Sequence, residues 1–527
     1  MENQNYSKTY RVKEKTSIVN FYEDKHVLIT GSTGFMGKVL VEKILRSCPK
    51  VAAVYLLVRS KKGKESQERI EELTKIPLFD KIRKQSNAAS LLDKLHAING
   101  DLLKANLDLS NDDLQLLQDK VNIVFHMAAN VRFDQSLKSA LYQNTGGTLA
   151  MLKLAESFKS LQAFVHVSTS YCHCDQKILE EKVYEVPHNP RKMLDLVSWL
   201  DEDLIKLLTP QLLQNAPNTY SYTKCLTEQL VTEYSKKIPA SIARPSIVIG
   251  CLKEPIPGWI DNFNGPVGLL IGAGKGVIRT MHGNPNLTAD LVPVDTTIRG
   301  LLLISKETHE RSLNINTQMD TINTGPLVVN LTSGKDNQLT WGDLIALSKK
   351  HFLENPFSIC LWYPGGSIKT NYFLHVICVF LFHVIPAYLV DFVMILMRNK
   401  PFLVRTQKRI QGGLEILQYY TRRPWHFRND KIKALTANLN DEERKIFGVD
   451  YMEIDWETYI LNMVHGARLY CMKESPDTLP QARRLLKKLY YLNLLKTILL
   501  VGFVVYLLWT IAPFISETTT TLLSLNI

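Results

Sequence analysis

The sequence predicts an α/β protein with a doubly wound parallel sheet, a mainly helical C-terminal domain and a C-terminal transmembrane helix. Short apolar runs alternate with helix-like patterns through residues 27–168, a glycine-rich turn follows the first run, and an uncharged apolar stretch occupies residues 497–515. Strands that alternate with helices form parallel sheets, and such sheets bind ligands at the carboxyl ends of their strands. The glycine turn and the later strand ends are therefore the predicted location of a functional site.

The composition describes a folded protein with more than one domain. A chain of 527 residues is too long for one ordinary domain, so we expect two or three. The formal charge of +12 suits nucleic acid, an anionic membrane surface or a polyanionic substrate. Because the sequence has neither zinc-finger spacing nor a basic stripe interleaved with aromatic residues, no nucleic acid partner is predicted. Eight cysteines without framework spacing and a polar N-terminus favour a cytosol-facing chain, in which residues 1–20 are a mobile lead.

Two histidine-containing segments are interpreted as structural. Cys172, His173 and Cys174 form the only local Cys/His cluster of the sequence. A metal site needs further ligands at a suitable spacing, and none is evident, so we predict an ordinary loop and no metal. His126, within the fourth apolar run, is interpreted as a packed strand residue rather than a catalytic one.

A glycine-rich turn lies between the apolar run 27–29 and the helical pattern 39–45. The free N–H groups at the start of a helix bind phosphate, and glycines let the backbone approach it closely. The residues predicted to bind a dinucleotide here are Gly31, Ser32, Thr33, Gly34, Phe35, Met36 and Gly37. Their spacing is G-x-x-G-x-x-G and not the G-x-G-x-x-G of ordinary dehydrogenases. Taken alone, the turn is equally compatible with a tight connection.

The end of the second apolar run, residues 54–58, indicates which dinucleotide is bound. An NAD site has an acidic residue there to hold the ribose 2′-hydroxyl, whereas this run ends in Arg59, which can accept a 2′-phosphate. NADPH is therefore favoured over NADH. The alternative is that Arg59, Lys61 and Lys62 form a solvated loop.

Three further strands are predicted after a charged, helical insertion at residues 65–92. They cover residues 95–102, 121–130 and 163–168, and a helix at residues 136–159 connects the last two. Asp101 and Leu102 end the first of these strands, where they could border an adenine ring. Ala128 belongs to the small residues that end the second, which permit close approach of a cofactor.

A serine and a Tyr–Lys pair are the predicted catalytic residues. Ser168 ends the fifth strand, and residues 218–224 open a helix in which Tyr220 and Lys224, four apart, share one face. An ammonium beside a phenol lowers the phenol pKa from about 10, as a proton donor or acceptor to a carbonyl oxygen needs. Ser168 can donate a second hydrogen bond to that oxygen. Each feature occurs by chance in other proteins, and Tyr222 fails the spacing, but their order after five alternating strands argues against chance.

The C-terminal third contains two long apolar segments. A last strand at residues 328–334 and a helix at residues 341–353 are predicted to close the domain that contains the sheet. Residues 372–397 are long enough to span a bilayer, but five Lys and Arg residues follow by residue 409, contrary to the positive-inside tendency. We therefore prefer an interfacial or acyl-gathering helix over a spanning one.

Residues 497–515 follow a polybasic flank and predict a tail anchor in contact with anionic lipid, with the catalytic part in the cytosol.

The assembled motifs GSTGFMG, HVSTSY and YSYTK resemble the extended short-chain dehydrogenases/reductases. More narrowly, the chain from about residue 21 to about residue 473 is similar to the fatty acyl-CoA reductases. The segments that carry this resemblance are residues 242–248 (IARPSIV), 257–266 (PGWIDNFNGP), 289–295 (ADLVPVD), 362–366 (WYPGG), 400–401 (KP) and 454–456 (IDW). Ser170 and Cys225 depart from the expected alanines, and they bear on packing rather than on the reaction.

The resemblance implies a Rossmann-type NADPH-binding reductase domain at residues 21–355, a helical C-terminal domain at 356–480 and a tail anchor at 495–515. It also implies a fatty acyl-CoA substrate, a primary alcohol product, and Tyr220 with Lys224 as the catalytic pair. The endoplasmic reticulum and the peroxisome are both expected locations, and a homo-oligomer is left open. The alternatives are a membrane-anchored reductase acting on a sterol or free aldehyde, and a non-catalytic nucleotide-binding scaffold at a membrane.

Overall fold

A seven-stranded parallel sheet is the centre of the structure, as the alternating pattern predicts. The computed structural model describes residues 16–60, 63–317 and 325–524. The strands of this sheet are β1 (His26–Thr30), β2 (Ala53–Val58), β3 (Leu95–Asn99), β4 (Ile123–His126), β5 (Ala163–Val167), β6 (Ala240–Pro245) and β7 (Leu327–Leu331). Their order across the sheet is β7-β6-β5-β4-β1-β2-β3.

The strand order reverses between β1 and β4. From β1 the chain continues outward to β2 and β3, and it then returns to the other side of β1 to form β4. Thr30, the last residue of β1, is paired in register with Leu57 of β2 and with His126 of β4. Doubly wound sheets bind their ligands at such a switch point, beyond the carboxyl ends of the strands. The glycine turn begins there, at Gly31.

Helices cover both faces of the sheet, which explains why the strands other than the edge strand β3 are almost entirely buried. Helices 111–120, 147–156 and 219–234 share a buried core with one face. Helices 35–47 and 294–317 contact each other, and the second also packs on β5 and β6. The helices associated with the sheet are Ile18–Tyr22, Phe35–Ser47, Ser66–Lys75, Pro77–Phe79, Asp80–Arg83, Ala88–Leu92, Ala105–Asp108, Asn111–Lys120, Leu137–Ala140, Leu141–Gly146, Gly147–Glu156, Pro190–Trp199, Glu202–Leu213, Thr219–Tyr234, Val294–Thr317, Asp430–Ala437 and Asp441–Phe447.

Two local predictions need correction. Residues 1–15 of the predicted mobile lead lie outside the described residues, but the helix Ile18–Tyr22 begins within residues 16–20 and buries Ile18 completely. The lead therefore ends earlier than predicted, because apolar residues on this helix pack into the fold.

The single helix predicted at residues 136–159 contains a π-helical turn, Leu141–Gly146, just before Gly147. Glycines have low helix propensity, and π turns are frequent at functional sites.

Contacts divide the chain into two compact units, each made of separate stretches. Unit 1 comprises Met1–Pro257, Asp290–Gln338 and Trp425–Ile454, and unit 2 comprises Gly258–Ala289, Leu339–Pro424 and Asp455–Ile527. The sequence predicts one boundary after residue 355, whereas packing groups the chain differently. The helix Trp341–Glu354, expected to close the reductase portion, packs instead on Trp456–Gly466 of unit 2.

Unit 2 is mainly helical. Its short strands Thr280–His282 and Ser367–Lys369 pair in parallel. Its helices are Pro266–Gly274, Trp341–Glu354, Tyr372–Val379, Phe380–Val384, Ile385–Leu396, Leu403–Thr421, Trp456–Gly466, Ala467–Cys471, Pro476–Thr478 and Leu479–Ser524. Among the described residues, two segments are long and apolar enough to cross a membrane, Tyr372–Leu396 and Pro476–Ala512. The first matches the apolar segment 372–397 that the sequence singles out, and the second overlaps the segment 497–515 but begins well before it.

Candidate active site

The glycine turn is closed too tightly for side chains at two of its glycines. Gly31 has φ +74°, and a Cβ there would lie 2.9 Å from the backbone nitrogen of Ala128. A Cβ on Gly37 would lie 2.6 Å from the Cα of Ser32. The following helix begins at Phe35 with Gly34 as its N-cap residue. The turn thus brings a helix N-terminus, with its positive dipole end, to the switch point without intervening side chains.

Ala128 and His126 are held against this turn by the side chain of Thr30. Its Oγ1 accepts a hydrogen bond from the Ala128 backbone nitrogen at 3.2 Å and lies 2.8 Å from Nδ1 of His126. Nε2 of His126 lies 2.9 Å from Oγ1 of Thr148, and burial lowers the pKa of His126 to about 3. A neutral, fully engaged imidazole is the packed strand residue that the sequence predicts.

Two arginines lie near the carboxyl end of β2. Arg59 follows β2 directly and is exposed. Arg69, which the sequence does not single out, donates from Nη2 to Oγ1 of Thr33 at 3.2 Å and from Nη1 to the Arg59 carbonyl oxygen at 2.5 Å. Burial and the Arg59 charge lower the pKa of Arg69. The glycine turn is therefore joined directly to a guanidinium. Lys61 and Lys62 lie outside the described residues.

The predicted adenine-side residues have local partners. Oδ1 of Asp101 accepts a hydrogen bond from the Leu103 backbone nitrogen at 3.1 Å. Leu102 packs on the helix that follows the π turn, where a Cβ on Gly147 would lie 3.2 Å from the Leu102 Cβ. The strand β3 ends at Asn99 rather than at residue 102 as predicted, and both residues follow it after Gly100, at the carboxyl edge of the sheet.

The structure brings Ser168 and Lys224 together at the end of β5. The Lys224 Nζ donates to the carbonyl oxygen of Val167 at 2.6 Å, and Val167 precedes Ser168. The hydroxyl of Ser168 donates to the Sγ of Cys172 at 3.7 Å. The helix that carries Lys224 begins at Thr219, because the side chain of Asn218 caps it by accepting from the Ser221 backbone nitrogen at 2.9 Å.

Tyr220 lies at the same place but in a different electrostatic state from the one predicted. Its hydroxyl hydrogen-bonds the side chain of Thr169, the residue after Ser168, and its ring centroid is 5.7 Å from that of Phe133. Burial raises the pKa of Tyr220, and the nearby Cys172 raises it further. The expected lowering by Lys224 is wrong for this structure, because burial dominates and the ammonium binds the Val167 carbonyl. The result is a neutral phenol, the protonated form that a proton donor needs.

Burial also acts on Lys224 itself. It lowers the pKa of this ammonium from 10.5 to about 8. Buried ammonium groups lose charge more easily because the low-dielectric interior disfavours the ionised form. Of the two residues of the Tyr–Lys pair, Lys224 is therefore the one whose pKa lies nearer to neutral pH.

Asn144, in the π turn, connects the helix Thr219–Tyr234 to the loop after β4. Its Nδ2 donates to Oγ1 of Thr223 at 3.0 Å, and its Oδ1 accepts from the Asn130 backbone nitrogen at 2.8 Å. Sequence reasoning missed this residue. The adjacent glycines Gly146 and Gly147, unusual inside a helix, were the signal that could have pointed to it.

A network of buried charged side chains supports the site. Glu228 accepts from the Arg244 guanidinium at 2.8 and 2.6 Å, and its Oε2 lies 2.9 Å from Nε2 of His173. Arg244 and His173 hold the pKa of Glu228 well below its usual range although burial opposes this, and Cys172, Cys225 and Glu228 together raise the pKa of His173. Ligand atoms of Cys172, His173 and Glu228 lie within 4.8 Å of one another, so Glu228 is the third potential metal ligand that the sequence did not reveal. However, Arg244 engages both carboxylate oxygens, which places a cation where a metal ion would bind.

The two departures from the expected alanines contact this network. The hydroxyl of Ser170 donates to the Arg244 carbonyl oxygen at 2.8 Å. The Sγ of Cys225 lies 3.6 Å from Nδ1 of His173. Both residues are buried, and their contacts are with the packing network rather than with Tyr220 or Lys224.

The glycine turn at the switch point, with a serine and a Tyr–Lys pair at the end of β5, defines a nicotinamide-dependent oxidoreductase of the short-chain dehydrogenase/reductase class. Two family profiles, both described as male sterility protein, match residues 29–301 and 382–474. The chain is 39% identical over 474 residues to fatty acyl-CoA reductase 1 of Mus musculus, which covers 90% of each protein. It is 34% identical to the fatty acyl-CoA reductase wat of Drosophila melanogaster, covering 92% of this chain and 91% of the relative. The chain belongs to the fatty acyl-CoA reductase family.

Solved structures resemble the chain in fold. A reductase domain of a nonribosomal peptide synthetase from Mycobacterium tuberculosis has a TM-score of 0.56 at 16% identity, covering 85% of this chain and 92% of that one. The terminal reductase domain of the myxalamid pathway has a TM-score of 0.52 at 17% identity, covering 84% and 90%. At these identities the likeness shows the architecture alone.

Proposed function

We propose that this protein reduces long-chain fatty acyl-CoA to the primary alcohol, with release of CoA and with NADPH as the reductant. Membership of the fatty acyl-CoA reductase family supports the acyl-CoA substrate. The observation that carries the chemistry is the convergence of Ser168, Tyr220 and Lys224 on the end of β5. Ser168 follows the carboxyl end of β5, and Tyr220 and Lys224 lie in the first turns of the helix Thr219–Tyr234, so all three are near the edge where a doubly wound sheet binds its ligands.

The residues around the glycine turn fit a nicotinamide dinucleotide. Side chains at Gly31 and Gly37 would collide with backbone, so the turn leaves its inner surface open to a pyrophosphate. Arg59 and Arg69 would hold the 2′-phosphate, since guanidinium groups recognise phosphate strongly. Asp101, Leu102 and Ala128 would border the remaining parts of the cofactor. This donor set favours NADPH because arginine stands where an NAD site has a carboxylate.

The protein's side chains act on the carbonyl oxygen of the substrate. When bound, NADPH supplies one hydride to the thioester and a second to the aldehyde. Ser168 and Tyr220 would hydrogen-bond the oxyanion that develops each time, which is worth about 3 kcal/mol per positioned donor. After the first addition the thiolate of CoA leaves, and after the second the hydroxyl of Tyr220 protonates the alkoxide. Lys224 would hold the ribose near β5 and compensate the charge on the phenol as it loses its proton.

The apolar segment Pro476–Ala512 supports a location of this reaction at a membrane. Residues 495–515 would form a single-pass tail anchor with the reductase in the cytosol, at the endoplasmic reticulum or peroxisome. The exposed residues Arg483, Arg484, Lys487 and Lys488 precede it, and cations on this side agree with the positive-inside tendency and with anionic lipid. A long-chain acyl substrate partitions into such a membrane.

Incubation of membranes containing the full chain with labelled palmitoyl-CoA and NADPH tests the proposal. We expect labelled hexadecanol, with two NADPH oxidised per alcohol. An aldehyde reductase would leave palmitoyl-CoA unchanged but reduce hexadecanal, and a sterol reductase or a scaffold would reduce neither. Either of those results overturns the assignment.

A further inference from the structure

The segment Tyr372–Leu396, called here the platform helix, has one strongly apolar, exposed face. It runs as an α-helix, a π turn and a second α-helix without interruption. Its exposed apolar side chains are Tyr372, Phe373, Leu374, Val376, Ile377, Phe380, Leu381, Ile385, Tyr388, Leu389, Val390, Phe392, Val393, Ile395 and Leu396. A patch of this size on a soluble surface is unusual and marks a binding surface.

The polar residues of the platform helix face the other way, into unit 2. Nδ1 of His375 lies 3.0 Å from Oγ1 of Thr280, and Nε2 of His383 accepts a hydrogen bond from the Arg279 backbone nitrogen at 2.9 Å. Asp391 is only 6% exposed and accepts from the backbone nitrogen of Leu403 at 2.8 Å. The helix is therefore fastened along its length to the folded body of unit 2.

Both ends of the platform helix return to the same small sheet. Just before it, the strand Ser367–Lys369 pairs with Thr280–His282. After it, the helix Leu403–Thr421 leads back, and Oγ1 of Thr421 donates to the His282 carbonyl oxygen at 3.4 Å. A platform helix that crossed a bilayer would require this second helix to cross again. That helix contains Arg405, Lys408, Arg409 and Glu415, and one such charge at the bilayer centre costs about 2.5–3.5 kcal/mol or more.

The helix Leu479–Ser524, called here the tail helix, indicates where the surface of the bilayer would lie relative to the platform helix. Nζ of Lys496, the last charged residue before the apolar stretch, lies 5.3 Å from the ring centroid of Phe382 on the platform helix. One turn earlier, Oδ1 of Asn493 accepts a hydrogen bond from Nε1 of Trp362 at 3.0 Å. A lysine and aromatic residues at this position are typical of a membrane–water interface. The apolar stretch of the tail helix therefore begins beside the middle of the platform helix.

We propose that the platform helix lies in the cytosolic leaflet as a second, monotopic membrane contact, with its apolar face among the acyl chains and its polar face on unit 2. The exposed cations Arg398, Lys400, Arg405, Lys408 and Arg409 adjoin its C-terminal end, where they meet anionic headgroups. Unit 2 is thus held flat against the bilayer instead of swinging from the tail helix. The proposal rests on the proposed tail anchor for the position of the membrane.

Cysteine labelling in sealed microsomes distinguishes a monotopic from a spanning platform helix. In the full chain with Cys378→Ser and Cys471→Ser, single reporters are placed by Asn399→Cys after the platform helix, Asn286→Cys as an exposed control in unit 2, and Ser524→Cys beyond the anchor. We expect a membrane-impermeant maleimide to label the reporters at 399 and 286 before detergent, and the reporter at 524 only afterwards. Protection at 399 would mean a spanning helix and overturn the proposal. Labelling at 524 before detergent would show that the tail helix does not cross the bilayer, and this would overturn the proposal as well. Alcohol formation in the same microsomes reports separately on the reaction.

Depth-dependent quenching shows whether the apolar face enters lipid. In the same background, an environment-sensitive fluorophore is attached at Phe392→Cys on the platform helix or at Trp199→Cys, the control in unit 1. The native side chain of Phe392 is 59% exposed and that of Trp199 is 71% exposed. The full chain is reconstituted in phosphatidylcholine vesicles containing phosphatidylserine. We expect a blue shift and stronger quenching by shallow than by deep spin-labelled lipid at position 392, and neither effect at position 199. Emission at 392 that matches the water-exposed control would overturn the proposal.

Discussion

The ammonium of Lys224 donates a hydrogen bond to the carbonyl oxygen of Val167 at 2.6 Å. This bond joins the helix Thr219–Tyr234 to the last residue of β5, directly before Ser168. Lys224 thus fixes the position of its helix relative to β5, in addition to carrying a charge. Because the pKa of Tyr220 is raised by burial, the phenol is protonated at neutral pH, and in the proposed reaction it would keep its proton until a developing alkoxide could take it.

Replacement of Tyr220 by phenylalanine removes the proposed proton donor without changing the shape of the ring. Loss of one positioned hydrogen bond to an oxyanion costs about 3 kcal/mol. We therefore expect alcohol formation to slow by about a hundredfold or more, with the Kd for NADPH nearly unchanged. Tyr222→Phe is the matched control, because the Tyr222 hydroxyl lies 2.9 Å from Nδ1 of His188, away from Ser168. Near-normal turnover by the Tyr220 variant would end its catalytic assignment.

The lowered pKa of Lys224 predicts a decline of activity in mild alkali. As pH rises through about 8, the buried ammonium loses its proton, so kcat should fall; Lys224→Arg, although slower, should lack this decline. The unfolded lysine keeps its proton up to about pH 10.4. Unfolding therefore takes up a proton between these values, and this group makes stability rise with pH there. Denaturant titration at pH 8 and 9.5 separates the two effects: a loss of stability that parallels the loss of activity would contradict the assignment.

Arg59 and Arg69 should determine the choice between the two nicotinamide cofactors. A hydrogen bond to a charged group contributes about 1.5–3 kcal/mol, so each arginine-to-alanine change should raise the KM for NADPH by about 10- to 100-fold and leave the KM for NADH little changed. Arg83→Ala is the control, an arginine of the same insertion that pairs with Asp80. Equal effects on both cofactors would show that these arginines do not contact the 2′-phosphate.

An alanine at Gly37 should abolish cofactor binding. Its Cβ would lie 2.6 Å from the Cα of Ser32, and this backbone cannot move without opening the turn. Gly413→Ala is the control, because a Cβ there meets nothing within 4 Å and alanine stabilises a helix by up to about 1 kcal/mol. Fluorescence titration with NADPH should detect binding in the control only; tight binding by the Gly37 variant would contradict the predicted cofactor site.

Glu228→Gln should destabilise the fold strongly. It leaves the buried Arg244 without its carboxylate, and breaking one partner of a buried ion pair costs about 3–5 kcal/mol. Glu233→Gln, on the same helix, breaks a surface pair with Arg191, for which about 0–1 kcal/mol is typical. Urea unfolding of both variants measures the difference. A Glu228 variant as stable as the Glu233 variant would show that the network contributes little.

Local patterns predicted the sheet and much of the site, because strand ends in a parallel sheet meet at one edge. The apolar run before Ser168 and the four-residue spacing of Tyr220 and Lys224 were sufficient to place these residues near β5. Arg69 could not be predicted, since its contact with Thr33 depends on how the insertion folds back. The direction of the Tyr220 pKa shift was wrong because spacing reveals a neighbouring charge but not the extent of burial.

The alternation of the two compact units along the chain constrains how the protein is made. Unit 1 is completed by residues 425–454, in which Nδ2 of Asn429 donates to the Thr332 carbonyl oxygen at 3.0 Å and Nζ of Lys431 to the Glu181 carbonyl oxygen at 2.6 Å. Domains commonly fold during synthesis, from the N-terminus onwards. Here the platform helix leaves the ribosome before the segment that completes the reductase unit. If the platform helix is a membrane contact as proposed, a nascent chain would expose this apolar surface while unit 1 is still unfinished.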